Sequence, residues 1–118
     1  MAEITRIGMA KRYSEAAIHN GVIYIAGQVP ENTLDQGIEA QTAEVLTMID
    51  RVLANCGSDK SRLLRVQIFL ADLADYDGMN KVWDAWVVAG SAPPRATVEA
   101  KLARQAYRVE IVVTAAQA

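Results

Sequence analysis

The run Tyr107-Arg108-Val109-Glu110-Ile111-Val112-Val113 ends in three consecutive apolar, β-branched residues, and Val22-Ile23-Tyr24-Ile25 is apolar or aromatic at every position. Such residues favour strands, and consecutive side chains of a strand point to opposite faces, so each of these strands asks for cover on both sides. A chain of this kind needs either helices on two surfaces or a second copy of itself against one of them. The rest of the sequence decides between those solutions.

Helical cover comes from two segments. Ile38, Thr42, Val45, Ile49, Val52 and Leu53 recur at intervals of three and four, which predicts a long amphipathic helix ending at Gly57. A second helix is predicted where Tyr76, Met79, Trp83, Trp86 and Val87 share a face, with Asp72 or Asp75 as its cap and Gly90 and Pro93-Pro94 as its stop. Trp83 and Trp86 read as core or interface anchors. The remaining apolar runs read as strands. Ile4 to Ile7 is short; Ala16 to Asn20 and Gly21 to Ala26 form a hairpin turning at Asn20-Gly21, with His19 flanking the turn. Leu64, Val66, Ile68 and Leu70 alternate with Arg65, Gln67 and Phe69, and Arg95 to Ala100 and Tyr107 to Thr114 supply a closing strand pair.

No linker rich in Gly, Ser or Pro divides the 118 residues, so a single domain over residues 1–118 is expected. The order of elements reads as α+β, a mixed sheet with two helices packed on one face. Two helices cover one face only. The other is expected to pack against copies of the same chain, which makes the protein a homo-oligomer.

Two charges interrupt the C-terminal strands, Arg95 in Pro93-Pro94-Arg95-Ala96-Thr97-Val98-Glu99 and Glu110. A guanidinium fork holds a carboxylate through two parallel hydrogen bonds, while a glutamate handles a proton or a water, and together they make a minimal site for hydrolysing a small organic acid. The same two residues would equally serve as a cross-strand ion pair on a solvated face, and their spacing does not separate the two readings.

Other chemistries are narrowed by what the chain lacks. A formal charge of −2 provides no basic footprint for a nucleic-acid backbone, so nucleic acid is not expected as the main partner. No apolar run reaches membrane-spanning length and the N-terminal residues show no signal-peptide pattern, which makes no membrane and the cytoplasm the expectation. One histidine and one cysteine leave little for His/Cys metal sites or for Ser-His-Asp and Cys-His nucleophile systems. Cys56, at the predicted helix end before Gly57, reads as a buried structural residue.

Three segments together resemble the RidA/YjgF family of enamine and imine deaminases: Tyr24-Ile25-Ala26-Gly27-Gln28-Val29-Pro30, Ile68-Phe69-Leu70-Ala71-Asp72 followed by Asp77-Gly78-Met79-Asn80, and Pro94-Arg95-Ala96-Thr97-Val98-Glu99 with Val109-Glu110-Ile111. The likeness runs through nearly the whole chain in order and spacing. Ala17-Ile18-His19-Asn20 and the stretch from Met79 to Gly90 resemble the YoaB-like branch most closely.

The resemblance implies a chorismate-mutase-like α+β fold and a homotrimer with a barrel-like centre and active sites in clefts between subunits. It implies hydrolysis of 2-imino acids, or of enamines such as 2-aminoacrylate, to 2-keto acids and ammonia, without metal, cofactor or covalent nucleophile. By the same resemblance Arg95 holds the substrate carboxylate, Glu110 positions or activates water, Tyr13 closes the pocket, groups near Gly27 and Thr97 line it, and Asn80 matches a commonly shared asparagine. Many relatives carry a serine where this chain has Ala26 and a cysteine where it has Thr97. Ser14, beside Tyr13, is a candidate to supply the missing hydroxyl. A non-catalytic small-ligand sensor or chaperone-like oligomer that binds a small carboxylate in the same cleft is the rival expectation. The ribonuclease label attached to some relatives fits an acidic chain without a histidine pair poorly.

Overall fold

The computed structural model describes residues 2–118. Six strands, β1 (Thr5–Ile7), β2 (Ala16–His19), β3 (Val22–Ile25), β4 (Leu63–Leu70), β5 (Arg95–Glu99) and β6 (Val109–Ala116), form one sheet in the order β1-β2-β3-β6-β4-β5. Two helices, α1 (Ile38–Asn55) and α2 (Tyr76–Trp86), pack on one of its faces. This is the mixed sheet with two helices of the chorismate-mutase-like fold.

The β2–β3 hairpin closes as its sequence requires. Asn20 and Gly21 both take the left-handed conformation (φ 52° and 76°) that a two-residue turn between right-twisted strands needs. All strand pairs are antiparallel except β4 and β5, which run parallel because α2 carries the chain back between them. The two closing strands therefore do not pair. The sheet places β4 between β5 and β6, so their closeness in sequence is not adjacency in space.

Alternation along the strands sends Ile23, Ile25, Val66, Ile68, Leu70, Val109, Ile111 and Val113 into the core, where they meet Val45, Leu46, Ile49, Val52 and Leu53 of α1 and Met79 and Trp83 of α2. Each fully buried aliphatic side chain contributes about 2 kcal/mol of transfer free energy. A register shift between Leu63 and Arg65 puts Leu63 inside and leaves Leu64 46% exposed, so Leu64 is not part of the inward set that simple alternation assigns it to. Tyr76 is likewise 42% exposed, outside the buried face of α2. Asp72 accepts from Ala74 N–H and caps a short 3-10 turn rather than α2, and Asp75 makes no cap bond but pairs with Arg108 at 3.2 Å.

One polar and one steric feature fix the helices. Gln41, fully buried, donates to the Ala106 carbonyl at 3.0 Å and accepts from Arg108 N–H at 2.8 Å, tying the start of α1 to the entry of β6. At Gly78 a side chain would sit 2.6 Å from Ile38 Cγ2, so glycine permits the approach of α2 to α1. Cys56 is buried, and burial followed by the nearby Glu15 charge pushes its thiol pKa up, as suits a structural residue. Among the described residues no helix is long and apolar enough to cross a membrane.

The second face of the sheet carries Tyr24, Phe69, Val98 and Val112, with Tyr24 53% and Val98 43% exposed. Within one chain, then, the doubly apolar strands are covered on one side only.

Candidate functional site

The register of the sheet decides what Arg95 and Glu110 can do. Arg95 pairs with Val66, and Glu110 pairs with Phe69 three residues further along β4. Residues paired across strands share a face, so Arg95 lies with Val66 on the helix-covered side and Glu110 with Phe69 on the open side. The cross-strand ion pair is thereby excluded within a chain: the two charges stand on non-adjacent strands and on opposite faces.

Each charge has its own surroundings. The Arg95 guanidinium carbon lies 5.2 Å from the centre of the Trp83 ring, and among the described residues it makes neither a hydrogen bond nor an ion pair. Thr97, two residues along β5 and paired with Ile68, shares its face. The Thr97 hydroxyl oxygen is buried with no hydrogen-bond partner among the described residues, as is that of Thr42 on α1. Asn80 lies half-buried on α2 one turn before Trp83, on the same side of the helix.

Glu110 belongs to a second cluster. Gln28 exchanges backbone hydrogen bonds with Ile111, at 2.9 Å and 3.1 Å, which brings Gly27 against the side chain of Glu110. A Cβ on Gly27 would lie 3.0 Å from Glu110 Cδ and closer still to Oε2, so the carboxylate occupies the space that any other residue at 27 would fill. Among the described residues Glu110 makes no ion pair or side-chain hydrogen bond, and the Gly27 backbone N–H stays without a backbone partner. Ala26 is fixed by its N–H to the Glu15 carbonyl at 2.9 Å and by the Gln28 side chain donating to its carbonyl at 2.9 Å.

Tyr13, 66% exposed, joins Gly8, Glu15, Ala26, Gly27 and Val29 around a cavity of about 270 Å³. Ser14 is not in its wall; Glu15 is, so the hydroxyl that Ala26 lacks is not returned there by its neighbour in sequence. A cavity of about 590 Å³ shares Glu15, Gln28, Glu31 and Met48 with it and continues along α1 to Arg51 and Asn55. A hollow of about 740 Å³ around residues 99–107 touches none of these groups. The structure thus brings Tyr13, Ala26 and Gly27 around one cavity, sets Glu110 against Gly27, and places Arg95, Thr97 and Trp83 together elsewhere. Trp83 is the residue that sequence reasoning did not attach to the site, because only the fold brings α2 over the start of β5.

An open α+β sheet carries a guanidinium on its β5 edge and a carboxylate on its other face, and comparison with known proteins gives this arrangement a family. The chain belongs to the RidA/YjgF family: the family model described as Endoribonuclease L-PSP matches residues 3–117. It stands close to the YoaB-like branch, being 52% identical over 113 residues to the RutC family protein YoaB of Escherichia coli (strain K12), across 96% of this chain and 97% of that protein. The crystal structure of NMB1025, a YjgF family member from Neisseria meningitidis, superposes with a TM-score of 0.91 at 52% identity, covering 98% of this chain and 96% of that one. A more distant relative in Arabidopsis thaliana, 30% identical over 104 residues, covering 84% of this chain and 55% of that protein, is named Reactive Intermediate Deaminase A, chloroplastic.

Proposed function

We propose that this protein hydrolyses reactive 2-imino acids, and the enamines that tautomerise to them, to 2-keto acids and ammonia, in sites shared between copies of the chain. The observation that carries this reading is the placement of an unpaired guanidinium beside an unpaired buried hydroxyl on one face, and of an unpaired carboxylate against Gly27 on the other. Opposite faces of one sheet meet only when a second copy covers the open side, and the exposed Tyr24 and Val98 supply apolar surface for that contact. Three copies around a barrel-like centre is the arrangement we propose, in the cytoplasm.

In this mechanism Arg95 and the Thr97 hydroxyl of one copy grip the substrate carboxylate, and Asn80 lies alongside. Glu110 of a neighbouring copy takes a proton from water as it attacks the imine carbon, with the Gly27 N–H at hand for a polar group of the substrate. The glutamic acid returns that proton to the imine nitrogen, so the carbinolamine carries it as a neutral amine. The carboxylate then takes the carbinolamine hydroxyl proton and passes it to that nitrogen, which leaves as ammonia while the oxygen becomes the keto oxygen and the carboxylate is regenerated. Tyr13 covers the opening. Ala26 leaves the pocket without a side-chain hydroxyl at that point, which shifts recognition onto main-chain groups.

The test is release of ammonia and keto acid from 2-imino acids generated in situ by an amino-acid oxidase, with Arg95→Ala protein as the control. Acceleration by the native protein and its loss in the variant support the deaminase. Equal rates in both, combined with retained carboxylate binding, would replace it with a ligand-binding oligomer. RNA cleavage that persists in Arg95→Ala and Glu110→Gln proteins would come from a contaminant.

A further inference from the structure

Arg95 stands on an aromatic support that is itself held in place. Trp83, whose ring faces the guanidinium at 5.2 Å, is only 6% exposed. Its ring centre lies 5.4 Å from that of Trp86, the planes inclined by 47°. Trp86 is fixed from two sides: its indole N–H donates to Asp50 Oδ2 at 3.0 Å, reaching from α2 to α1, and Lys60 Nζ lies 5.3 Å from its ring centre. A continuous series Asp50, Trp86, Trp83, Arg95 thus connects the helix pair to the guanidinium.

An arginine can be held in place by an acidic partner or by a ring, and the two have different consequences. A carboxylate partner would occupy the planar N–H fork that a ligand carboxylate needs. A ring attracts the cation and restricts its side-chain rotamers while leaving those donors unused. Arg95 has the ring and, among the described residues, no acidic partner. Restricting a long side chain in advance removes entropy that ligand binding would otherwise have to overcome.

We propose that Trp83 is a positioning residue for Arg95, oriented in turn by Trp86 and Asp50, so that affinity for a 2-oxo or 2-imino carboxylate depends on this tryptophan stack. The proposal rests on the reading of Arg95 as the carboxylate anchor. Trp83→Leu is expected to raise the Kd for pyruvate, measured by calorimetry, and the KM for imino acids by about tenfold while kcat at saturation changes by less than about twofold. Trp83→Phe, which keeps a ring, recovers most of the loss. Trp86→Phe and Asp50→Asn shift Kd in the same direction by about two- to threefold. In an Arg95→Ala background Trp83→Leu adds nothing further.

Pyruvate affinity unchanged in Trp83→Leu, equal losses in the Leu and Phe variants, or a further loss in the Arg95→Ala background each overturns the proposal. A separate readout needs no substrate: the Arg95 Nε–H resonance, assigned as the one lost in Arg95→Ala. An upfield, ring-shifted signal in the native protein and in Trp83→Phe supports the positioning, and a free-arginine value already in the native protein overturns it. If the native protein neither turns over imino acids nor binds pyruvate, the deaminase reading falls, and the resonance still decides whether Trp83 orders Arg95.

Discussion

Arg95 and Glu110 face away from each other, on opposite sides of the sheet and with β4 between their strands. A site that uses both must draw them from different copies. Subunits carrying Arg95→Ala and subunits carrying Glu110→Gln, each inactive alone, are therefore expected to regain activity when unfolded and refolded together. In a ring, half the interfaces receive an intact arginine and half of those an intact glutamate, so recovery should approach about a quarter of the native rate. A rate equal to the average of the separate variants would mean that both residues serve the same chain.

Arg95→Lys should fail almost as badly as Arg95→Ala. A lysine keeps the charge but presents no planar fork to a carboxylate, and its compact ammonium replaces the guanidinium that lies over the Trp83 ring. Steady-state kinetics on oxidase-generated imino acids should show kcat/KM reduced by about 100-fold in both, with KM raised, since an anchor worth a few kcal/mol is removed. A lysine variant within a few-fold of native would leave simple charge as the requirement.

Glu110→Gln is isosteric and keeps the packing against Gly27, so it isolates the proton-handling role. Turnover should fall by about 100-fold or more with pyruvate affinity preserved. Unchanged turnover would sink the assigned role.

Gly27→Ala tests the same carboxylate from the other side. The added methyl group would overlap the end of the Glu110 side chain, which is flexible and on the open face, so the chain should fold with a melting temperature close to native. The carboxylate must swing aside, however, and a displacement near 1 Å at a catalytic group costs about 100-fold in rate. Normal activity in a folded Gly27→Ala protein would show that the position of Glu110 beside Gly27 does not matter.

Much of this was legible in the residues. The Asn20-Gly21 turn, the periodic face of α1 and the uncovered strands all follow from local pattern, because turn conformation and helix periodicity are properties of short segments. Strand order was not legible. Nothing in Arg95 to Thr114 tells the chain that β4 inserts between its last two strands, since pairing is decided by which arrangement buries the helices. The exposed Leu64 escaped for a related reason, as one inserted residue reverses alternation without changing composition. The charges that interrupt the last two strands singled out Arg95 and Glu110, and the family resemblance added Tyr13, but the Trp83 contact needed the fold, because α2 and β5 meet only there.

Glu44 makes a prediction about acid stability. Its carboxylate accepts from the backbone N–H groups of Glu31, Asn32 and Thr33 at 2.9–3.1 Å and from the Thr33 hydroxyl at 2.6 Å, clamping the loop beside the cavity that Gln28 and Glu31 share with the site. Burial pushes its pKa up, but the Thr33 hydroxyl and the three backbone donors outweigh that effect and leave it below the ordinary 4.5. Because the folded-state value is depressed, the stabilisation is complete above the unfolded value and is lost as pH falls through the folded one. Thermal melts from pH 7 down to pH 3 should therefore drop less steeply below about pH 4.5 in Glu44→Gln than in the native chain. At pH 7 the variant should be less stable by about 1 kcal/mol, the loss of a charged acceptor at a solvent-screened position. Parallel curves over the whole range would show that the clamp holds equally well without its charge.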